Sequence, residues 1–158
     1  MTPTTIVFPF RRDGAVLLGR KLRGLGEGKW NGFGGKAQEG EDLRQTAVRE
    51  LAEESGLVAN PEDLHESARL EFYFENRPEL DQTTSVYTLL KYTGTPKSTD
   101  EMEPQWFAPF SLPYEDMWAA DKIWLPEVLR GHLVKGKITF AEDAETVLSY
   151  EFHEVDAW

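Results

Sequence analysis

The stretch from Gly34 to Leu57, GGKAQEGEDLRQTAVRELAEESGL, constrains the fold more than any other part of this chain. Apolar residues recur in it at helical spacing and predict an amphipathic helix from about Asp42 to Ser55. These residues are Leu43, Ala47, Val48 and Leu51. Gly56 is a favourable end for the helix, because glycine readily adopts the left-handed conformation that terminates helices.

Three glutamates, Glu50, Glu53 and Glu54, crowd into the last turn of this predicted helix. The negative pole of the helix dipole lies there, so each acid costs about 0.3–1 kcal/mol. Glu50 and Glu54 are also like-charged neighbours four residues apart, which adds about 0.2–0.5 kcal/mol. A divalent cation would remove this repulsion, and hard carboxylate oxygens suit Mg²⁺ or Mn²⁺. The alternative is an ordinary solvated face in an acidic protein.

The glutamates belong to a longer pattern, G-x5-E-x7-R-E-U-x-E-E-x-G-U, in which U is apolar. All of its fixed positions are filled, by Gly35, Glu41, Arg49, Glu50, Leu51, Glu53, Glu54, Gly56 and Leu57. The complete spacing resembles the signature of the Nudix hydrolases, which cleave nucleoside diphosphates linked to another group. The resemblance implies an α/β fold, an α/β/α sandwich with a mixed sheet, and metal-assisted attack of water on a diphosphate.

The resemblance also implies roles for individual residues. Metal ligands are expected at Glu50, Glu53, Glu54 and the carbonyl of Gly35, holding one to three Mg²⁺ ions, with Mn²⁺ as a substitute. Glu54 or Glu53 is expected to assist deprotonation of the water. Glu101, in the acidic stretch DEMEP, is either a further ligand, the base itself or a solvated loop charge. Arg49 is expected to orient one of the acids, with Glu41 as a candidate.

Composition agrees with a single soluble enzyme domain over residues 1–158. Forty per cent of the residues are apolar, which is ample for a core, and the absence of cysteine excludes disulfides and thiolate metal sites. The net charge of −11 argues against a polymeric nucleic acid as partner. No apolar run approaches the roughly 20 residues that span a membrane, and no secretory signal is visible. We therefore expect a cytoplasmic protein, and a monomer by default.

Extended segments alternate with two helices along the chain. The sequence predicts strands or extended pieces at 5–10, 15–20, 30–33, 69–74, 84–92, 106–107, 137–140 and 146–152. The first two are predicted to form a hairpin about the turn 12–14 and the last two a second hairpin. A second helix is predicted from Asp121 to Arg130, closed by Gly131. This alternation, with a hairpin at each end, indicates a mixed sheet covered by helices.

Sequence outside the glutamate stretch resembles one branch of the same family. The matching segments are WNGFGGKAQEGE at 30–41, DEMEPQWF at 100–107 and YEDMW…D…WLP, which ends at Pro126. They are similar to the eukaryotic-type MutT homologues, which hydrolyse oxidised purine nucleoside triphosphates such as 8-oxo-dGTP to monophosphate and pyrophosphate. The similarity covers nearly the whole chain and implies a purine nucleoside triphosphate as substrate.

The resemblance places several side chains in a base pocket. Trp118 offers a flat face for stacking, worth about 1–3 kcal/mol per base in single-strand binding systems. The Asn31 amide offers a donor and an acceptor to a purine edge. Asp121, if apolar walls raise its pKa, can donate from its protonated form to a guanine carbonyl. The expected apolar walls are Leu25, Phe72, Phe74 and Met102.

Each of these residues also has an ordinary structural interpretation. Trp118, Phe72 and Phe74 are also typical of a hydrophobic core. Asn31 is also typical of a turn, and Asp121 is also typical of a helix N-cap. Lys21 and Arg23, just before a glycine-rich loop, are candidates to contact phosphates, and a surface role is open for both.

The chain departs from the resembled branch at two positions. Ala120 stands where that branch has an acid, and Leu25 stands where it has an aromatic residue. Two neighbouring carboxyls can exchange a proton and read differently oxidised bases, so the loss of one leaves the preferred base open. Two other hydrolase activities are alternatives: hydrolysis of ADP-ribose and hydrolysis of diadenosine polyphosphates. Tyr73 lies close to where the diadenosine polyphosphate hydrolases of this family carry a tyrosine. A non-catalytic nucleotide sensor is a third alternative. The intact glutamates argue against a sensor.

Overall fold

A computed structural model describes residues 1–158, which form two β-sheets and two α-helices. In chain order the elements are β1 (Thr2–Pro9), β2 (Val16–Lys21), β3 (Trp30–Asn31), α1 (Leu43–Ser55), β4 (Leu64–Phe74), β5 (Gln82–Leu89), β6 (Met102–Phe107), α2 (Asp121–Leu129), β7 (Leu133–Phe140) and β8 (Val147–Val155). Single turns of 3₁₀ helix lie at Pro61–Asp63, Pro78–Leu80 and Tyr114–Asp116. No helix is long and apolar enough to cross a membrane.

The larger sheet is mixed, with strand order β1-β5-β4-β7-β8. Its β1/β5 and β4/β7 pairs are parallel, while β5/β4 and β7/β8 are antiparallel. The smaller sheet is antiparallel, with order β3-β2-β6. The predicted mixed sheet with helices is therefore confirmed, and so is the hairpin near the end of the chain. The division into two sheets was not predicted.

The predicted hairpin at the start of the chain is wrong. The turn forms, since Arg11 N–H donates to Ala15 and Gly14 N–H to Arg11, but only the bridge between Phe10 and Val16 joins its arms. One edge of β1 pairs with β5 and the other carries the segment 33–36. Because these neighbours are distant in sequence, the local turn pattern could not indicate them. They bring Gly34 and Gly35 against β1.

Helix α1 has the ends that the sequence predicts. The Asp42 side chain accepts from the Gln45 backbone N–H at 2.8 Å, and the Gln45 side chain accepts from the Asp42 backbone at 2.9 Å. This reciprocal pair satisfies two N–H groups that a helix start leaves without partners. At the other end Gly56 has φ +80°, and its N–H donates to Ala52. Both ends fix the direction in which the last turn presents its acids.

Two other elements differ from their predictions. Strand β6 runs from Met102 to Phe107 and includes Pro104, whereas the sequence predicted a strand only at 106–107. It lies at the edge of the smaller sheet, where a proline without an N–H is tolerated. Helix α2 begins at Asp121, but the N-cap position belongs to Ala120 and makes no side-chain bond. The N-cap interpretation of Asp121 is therefore wrong.

Candidate active site

Gly34 sits where any other residue would collide with the backbone. Thr5 N–H donates to the carbonyl of Gly35 at 3.0 Å, and a Cβ at Gly34 would lie 1.7 Å from the Thr5 carbonyl oxygen. This close approach aims the Gly34 N–H at α1, where it donates to Glu54 Oε1 at 2.9 Å. The paired glycines therefore tie β1 to the acidic end of the helix.

Two of the three glutamates are held away from water. Burial raises the pKa of Glu54 to about 8, with the negative charge of Glu50 adding to it and the Gly34 N–H opposing it. Burial also raises the pKa of Glu50. The Glu50 carboxyl packs on Gly35, where a Cβ would lie 2.6 Å from the Glu50 Cδ. Glu53, by contrast, is 56% exposed.

Arg49 connects the acids of this cluster. Its guanidinium donates two bonds to Glu41, at 2.7 and 3.0 Å, and a third to Glu50 at 2.9 Å. Weaker contacts reach Glu53 at 3.2 and 3.3 Å. The Arg49 guanidinium is the main reason why the pKa of Glu41 falls to about 2. The arginine therefore fixes the orientation of three carboxylates from the side, and the predicted contact with Glu41 is present.

These residues fit a hard divalent cation. Three carboxylates are attached to one helix turn, and burial makes ionisation of Glu50 and Glu54 unfavourable without a positive charge nearby. The Gly35 carbonyl already accepts the Thr5 N–H, but a carbonyl oxygen has a second lone pair. Oxygen donors of this type are those that Mg²⁺ and Mn²⁺ prefer.

Arg23 and Glu101 lie beside this cluster but are engaged with each other. Their side chains form a salt bridge, with Arg23 Nε 3.1 Å from Glu101 Oε1, and the Arg23 guanidinium lowers the pKa of Glu101. The charge of Glu101 still acts on Glu54. Arg23 does not line the pocket described next. A phosphate contact by Arg23, or metal ligation by Glu101, requires this pair to open.

A pocket of about 460 Å³ extends from Glu54 to α2. Its lining contains ten of the site residues predicted from the sequence: Lys21, Leu25, Asn31, Gly35, Glu54, Phe72, Phe74, Met102, Trp118 and Asp121. Glu50, Glu53 and Glu101 are not in its lining. The structure thus brings the predicted base-binding residues and one catalytic candidate to the same cavity.

Aromatic side chains form the wall at the α2 end of the pocket. The Trp118 and Phe140 rings meet edge to face with centroids 5.9 Å apart, and Phe140 stacks on Phe74 at 5.3 Å. Gly26 packs against Trp118, since a Cβ there would lie 3.0 Å from the indole. Asn31 uses its amide oxygen to accept the Gly32 N–H at 2.8 Å. Its NH₂ group is what it offers to a ligand.

Asp121 is only 4% exposed within this wall. Burial raises its pKa to about 7, against the smaller opposing effects of Trp124, the Trp118 backbone and the charge of Lys29. A carboxyl with this pKa can present either a donor or an acceptor near neutral pH.

Two further residues that could bind a ligand were not predicted from the sequence. The Thr5 hydroxyl and the Trp124 indole N–H are both buried and line the pocket. Thr5 makes no hydrogen bond within the protein, and the Trp124 N–H faces the Asp121 carboxyl closely enough to lower the pKa of that carboxyl but not in the geometry of a full hydrogen bond. Buried polar groups are normally paired, so both are suited to bonds with a bound molecule. In the sequence, Thr5 is an ordinary strand residue and Trp124 is an ordinary apolar residue of a helix. Neither position lies in a motif that indicates ligand binding.

Tyr73 is absent from the pocket. Its neighbours Phe72 and Phe74 point into the cavity, and successive side chains of a strand point to opposite faces. The Tyr73 hydroxyl donates to Glu71 at 3.0 Å instead.

Comparison with known proteins agrees with this geometry. A family model described as the NUDIX domain matches residues 1–128. An oxidized purine nucleoside triphosphate hydrolase from Mus musculus is 43% identical over 90% of this chain and 89% of its own length. The protein of the same name from Danio rerio is 41% identical over 92% and 90%. The crystal structure of a MutT protein from Bacillus halodurans shares the fold, with a TM-score of 0.82, 24% identity and coverage of 96% of this chain and 97% of that one.

Proposed function

The chain belongs to the NUDIX domain family, and from that premise we propose that it hydrolyses oxidised purine nucleoside triphosphates, such as 8-oxo-dGTP, to nucleoside monophosphate and pyrophosphate. One observation carries this proposal: a single pocket contains Glu54 at the acidic helix end and an aromatic wall with Asp121. A base in the wall would extend its phosphates toward α1. The named activity of the relatives from Mus musculus and Danio rerio supports the same substrate class.

Nudix hydrolases generally use divalent metal ions, and we take Mg²⁺ as the ion here, with Mn²⁺ as a substitute. Glu50, Glu53 and Glu54 would hold it, with the Gly35 carbonyl as a further donor. When bound, such an ion neutralises phosphate charge and makes phosphorus more open to attack. Arg49 keeps Glu50 and Glu53 oriented through the contacts described above.

The chain's own groups then account for the proton and the phosphates. Water attacks the β-phosphorus, the bond to the oxygen bridging the α-phosphorus breaks, and the monophosphate leaves. Glu54, fixed by the Gly34 N–H, takes the proton of the water. Lys21 and Lys36 line the pocket and balance the charge of the phosphate chain. A general base of this kind typically contributes a factor of about 10²–10⁴.

Asp121, Asn31 and Trp118 are proposed to recognise the base. Trp118 supplies the stacking face, Asn31 donates from its NH₂ group, and Asp121 reads a second edge. Because Ala120 cannot share a proton with it, Asp121 acts alone, so the base that fits best depends on its protonation state.

A hydrolysis panel tests the proposal. Normal and oxidised purine triphosphates, ADP-ribose and diadenosine polyphosphates are incubated with the protein and Mg²⁺, and products are identified by chromatography. We expect oxidised purine triphosphates to give the highest kcat/KM, with monophosphate and pyrophosphate as products. Faster cleavage of ADP-ribose or a dinucleotide would overturn the substrate assignment. Tight binding without turnover would identify a sensor instead.

A further inference from the structure

Helix α1 ends in carbonyl groups that the helix itself cannot pair, and one distant segment bonds two of them. The backbone N–H of Lys97 donates to the Ser55 carbonyl at 2.8 Å, and the Thr99 hydroxyl donates to the Glu54 carbonyl at 3.2 Å. Residues 97–102, which we call the α1 brace, run from these contacts into the start of β6. The brace therefore packs against the helix turn that carries the metal-binding glutamates of the proposed site.

The Thr99 hydroxyl uses its whole hydrogen-bonding capacity. Besides donating to Glu54, it accepts the backbone N–H of Glu101 at 3.3 Å and that of Met102 at 3.2 Å. A hydroxyl has one donor and two acceptor sites, and all three are occupied here. The Thr99 N–H in turn donates to the Met102 carbonyl at 2.9 Å. One oxygen atom thus joins the Glu101 backbone to the Glu54 backbone.

Part of this arrangement is an ordinary turn. Threonine hydroxyls commonly accept N–H groups a few residues further along the chain, so the bonds to Glu101 and Met102 require no function. The bond to Glu54 is different, because it joins residues 45 positions apart in the sequence. It turns a local motif into a link between two parts of the proposed metal site.

Glu101 is held by its backbone and, separately, by its side chain. Its N–H is bound by Thr99, and its carbonyl accepts the Leu22 N–H at 2.9 Å, just beyond the end of β2. Its carboxylate pairs with Arg23, whose Nε lies 3.1 Å from Oε1 and whose side chain is 64% exposed. An exposed ion pair adds little stability, so little opposes the exchange of Arg23 for a divalent cation.

We propose that Thr99 is a positioning residue for the metal site, which holds Glu101 beside the acidic turn of α1 through its bond to the Glu54 carbonyl. The Glu101 carboxylate then serves as a further metal ligand once it leaves Arg23. The inference rests on the proposed function and deepens it, because it names the residue that joins Glu101 to the glutamates of α1.

Thr99→Val tests this role, since it removes the hydroxyl and keeps the branched shape of the side chain. Mn²⁺ is titrated into the protein without nucleotide, and the free ion is counted by electron paramagnetic resonance. The Kd for Mn²⁺ should rise about 10-fold, at the lower end of the effect of losing a group that orients a metal ligand. Thr99→Ser keeps the hydroxyl and should restore the affinity.

Thr88→Val is the matched control. Thr88 is half-buried like Thr99, and its hydroxyl lies 2.9 Å from that of Ser67, but it belongs to β5 and does not line the pocket. Urea unfolding should show a loss of stability in both valine variants, whereas the Kd for Mn²⁺ should change only in Thr99→Val. Equal changes of Kd would overturn the proposal, because stability alone would then control ion binding.

A double-mutant comparison shows whether Thr99 acts through Glu101. In a Glu101→Gln background the positioned carboxylate is already absent, so Thr99→Val should change the Kd for Mn²⁺ by less than about 3-fold. An undiminished change in that background would refute the role, because Thr99 would then act on α1 alone.

Arg23→Gln gives the opposite expectation, since it releases the Glu101 carboxylate from its ion pair. The Kd for Mn²⁺ should fall about 3-fold, which corresponds to the usual strength of an exposed pair. Arg20→Gln removes the same charge from a comparably exposed pair, in which Arg20 Nη2 lies 2.8 Å from Glu103 Oε2, and should change the Kd less. Equal decreases in the two variants would contradict ligation by Glu101.

The Mn²⁺ titrations contain no nucleotide, so they test Thr99 independently of the substrate. If Mn²⁺ binding shows these dependences but the unmodified protein hydrolyses no purine triphosphate, the proposed function fails and the role of Thr99 in ion binding stands. If the protein hydrolyses the substrate but Thr99→Val binds Mn²⁺ normally, only the role of Thr99 fails.

Discussion

Burial raises the pKa of Glu54 to about 8 and that of Asp121 to about 7, so both carboxyls change protonation state near neutral pH. Both line one pocket, Glu54 from the last turn of α1 and Asp121 from the start of α2. The tasks that we propose for them are therefore separable, with Glu54 acting near the phosphates and Asp121 near the base. Carboxyls of strongly shifted pKa are typical of functional sites.

Glu54→Gln should abolish most turnover while the fold is kept, because it removes a charge and not volume. We expect kcat to fall by about 10²–10⁴, the usual contribution of a general base. The measurement is steady-state hydrolysis of 8-oxo-dGTP at saturating Mg²⁺. Glu39→Gln, an exposed residue outside the cluster, should keep full activity. Near-normal hydrolysis by Glu54→Gln would remove Glu54 from the mechanism.

Trp118→Ala should weaken binding of all purine substrates. A lost stacking contact of about 1–3 kcal/mol raises KM by roughly 5- to 150-fold with a smaller effect on kcat. Trp158→Ala is the matched control, since Trp158 stacks on Arg69 and does not line the pocket. An unchanged KM in Trp118→Ala would show that the base does not stack there.

Asp121→Asn should change how stability depends on pH. The pKa of Asp121 is raised on folding, from 3.8 to about 7, so the folded state holds the proton more tightly than the unfolded chain. The stability it contributes is present below its unfolded pKa and declines as pH rises toward 7. The variant lacks this decline. Between about pH 4 and about pH 8, its free energy of unfolding should therefore rise by a few kcal/mol relative to that of the unmodified protein. Urea unfolding at both limits measures the difference, and a constant offset would contradict it.

Helix α1 and the segment 33–36 together form the end of the pocket that we propose to be reactive. The sequence predicts the helix well and the position of the segment poorly. The helix and its ends follow from local signals, the apolar spacing and the capping residues. The position of Gly34 follows from a contact with Thr5, which is distant in sequence and carries no local pattern. The same limit explains why the turn at 12–14 was predicted correctly while the pairing of the strands around it was not.

Gly56→Ala should destabilise α1 at its end. A residue with a Cβ at φ +80° costs about 1–2 kcal/mol, and the nearest atom to that Cβ, Lys97 Cδ at 3.5 Å, leaves enough room. Urea unfolding should show a decrease of this size in the free energy of unfolding. The Mg²⁺ concentration for half-maximal activity should also rise, because Glu53 and Glu54 adjoin this end of the helix.

Gly14→Ala is the control for that experiment. Its φ is +91° and no atom lies within 4 Å of the Cβ position, so the backbone cost is similar. It lies in the turn before β2, away from the acids, and its Mg²⁺ requirement should stay unchanged. An equal change in both variants would mean that stability alone sets the metal requirement.

The whole molecule is acidic, but its pocket contains more basic than acidic side chains. The net charge is −11, yet the lining contains Lys21, Lys29 and Lys36 against Glu54 and Asp121. The wall proposed to bind the base joins residues from β4, α2 and β7 that only tertiary packing brings together. Trp118, Phe72 and Phe74 were found from the family resemblance, whereas Lys29, Thr5 and Trp124 could be recognised only once their surroundings were known.

Mg²⁺ should stabilise the whole protein. An ion that binds only the folded state adds about 2.7 kcal/mol at a hundredfold excess over its Kd, so Tm should rise with Mg²⁺ and return when a chelator is added. Glu50→Gln, which removes one buried ligand, should reduce the shift. A Tm that does not respond to Mg²⁺ in the unmodified protein would contradict a site at the end of α1.

Phe140 and Glu145 lie beyond residue 128, where the family match ends, yet Phe140 forms part of the pocket wall and Glu145 anchors Lys29. Part of the wall proposed to bind the base therefore lies outside the matched region, although Asn31, Trp118 and Asp121 lie within it. Selection can retune which damaged nucleotide is admitted by altering the final hairpin, while the hydrolytic apparatus stays untouched. A version trimmed to the matched region would lose Phe140 from this wall, together with the strand that carries it.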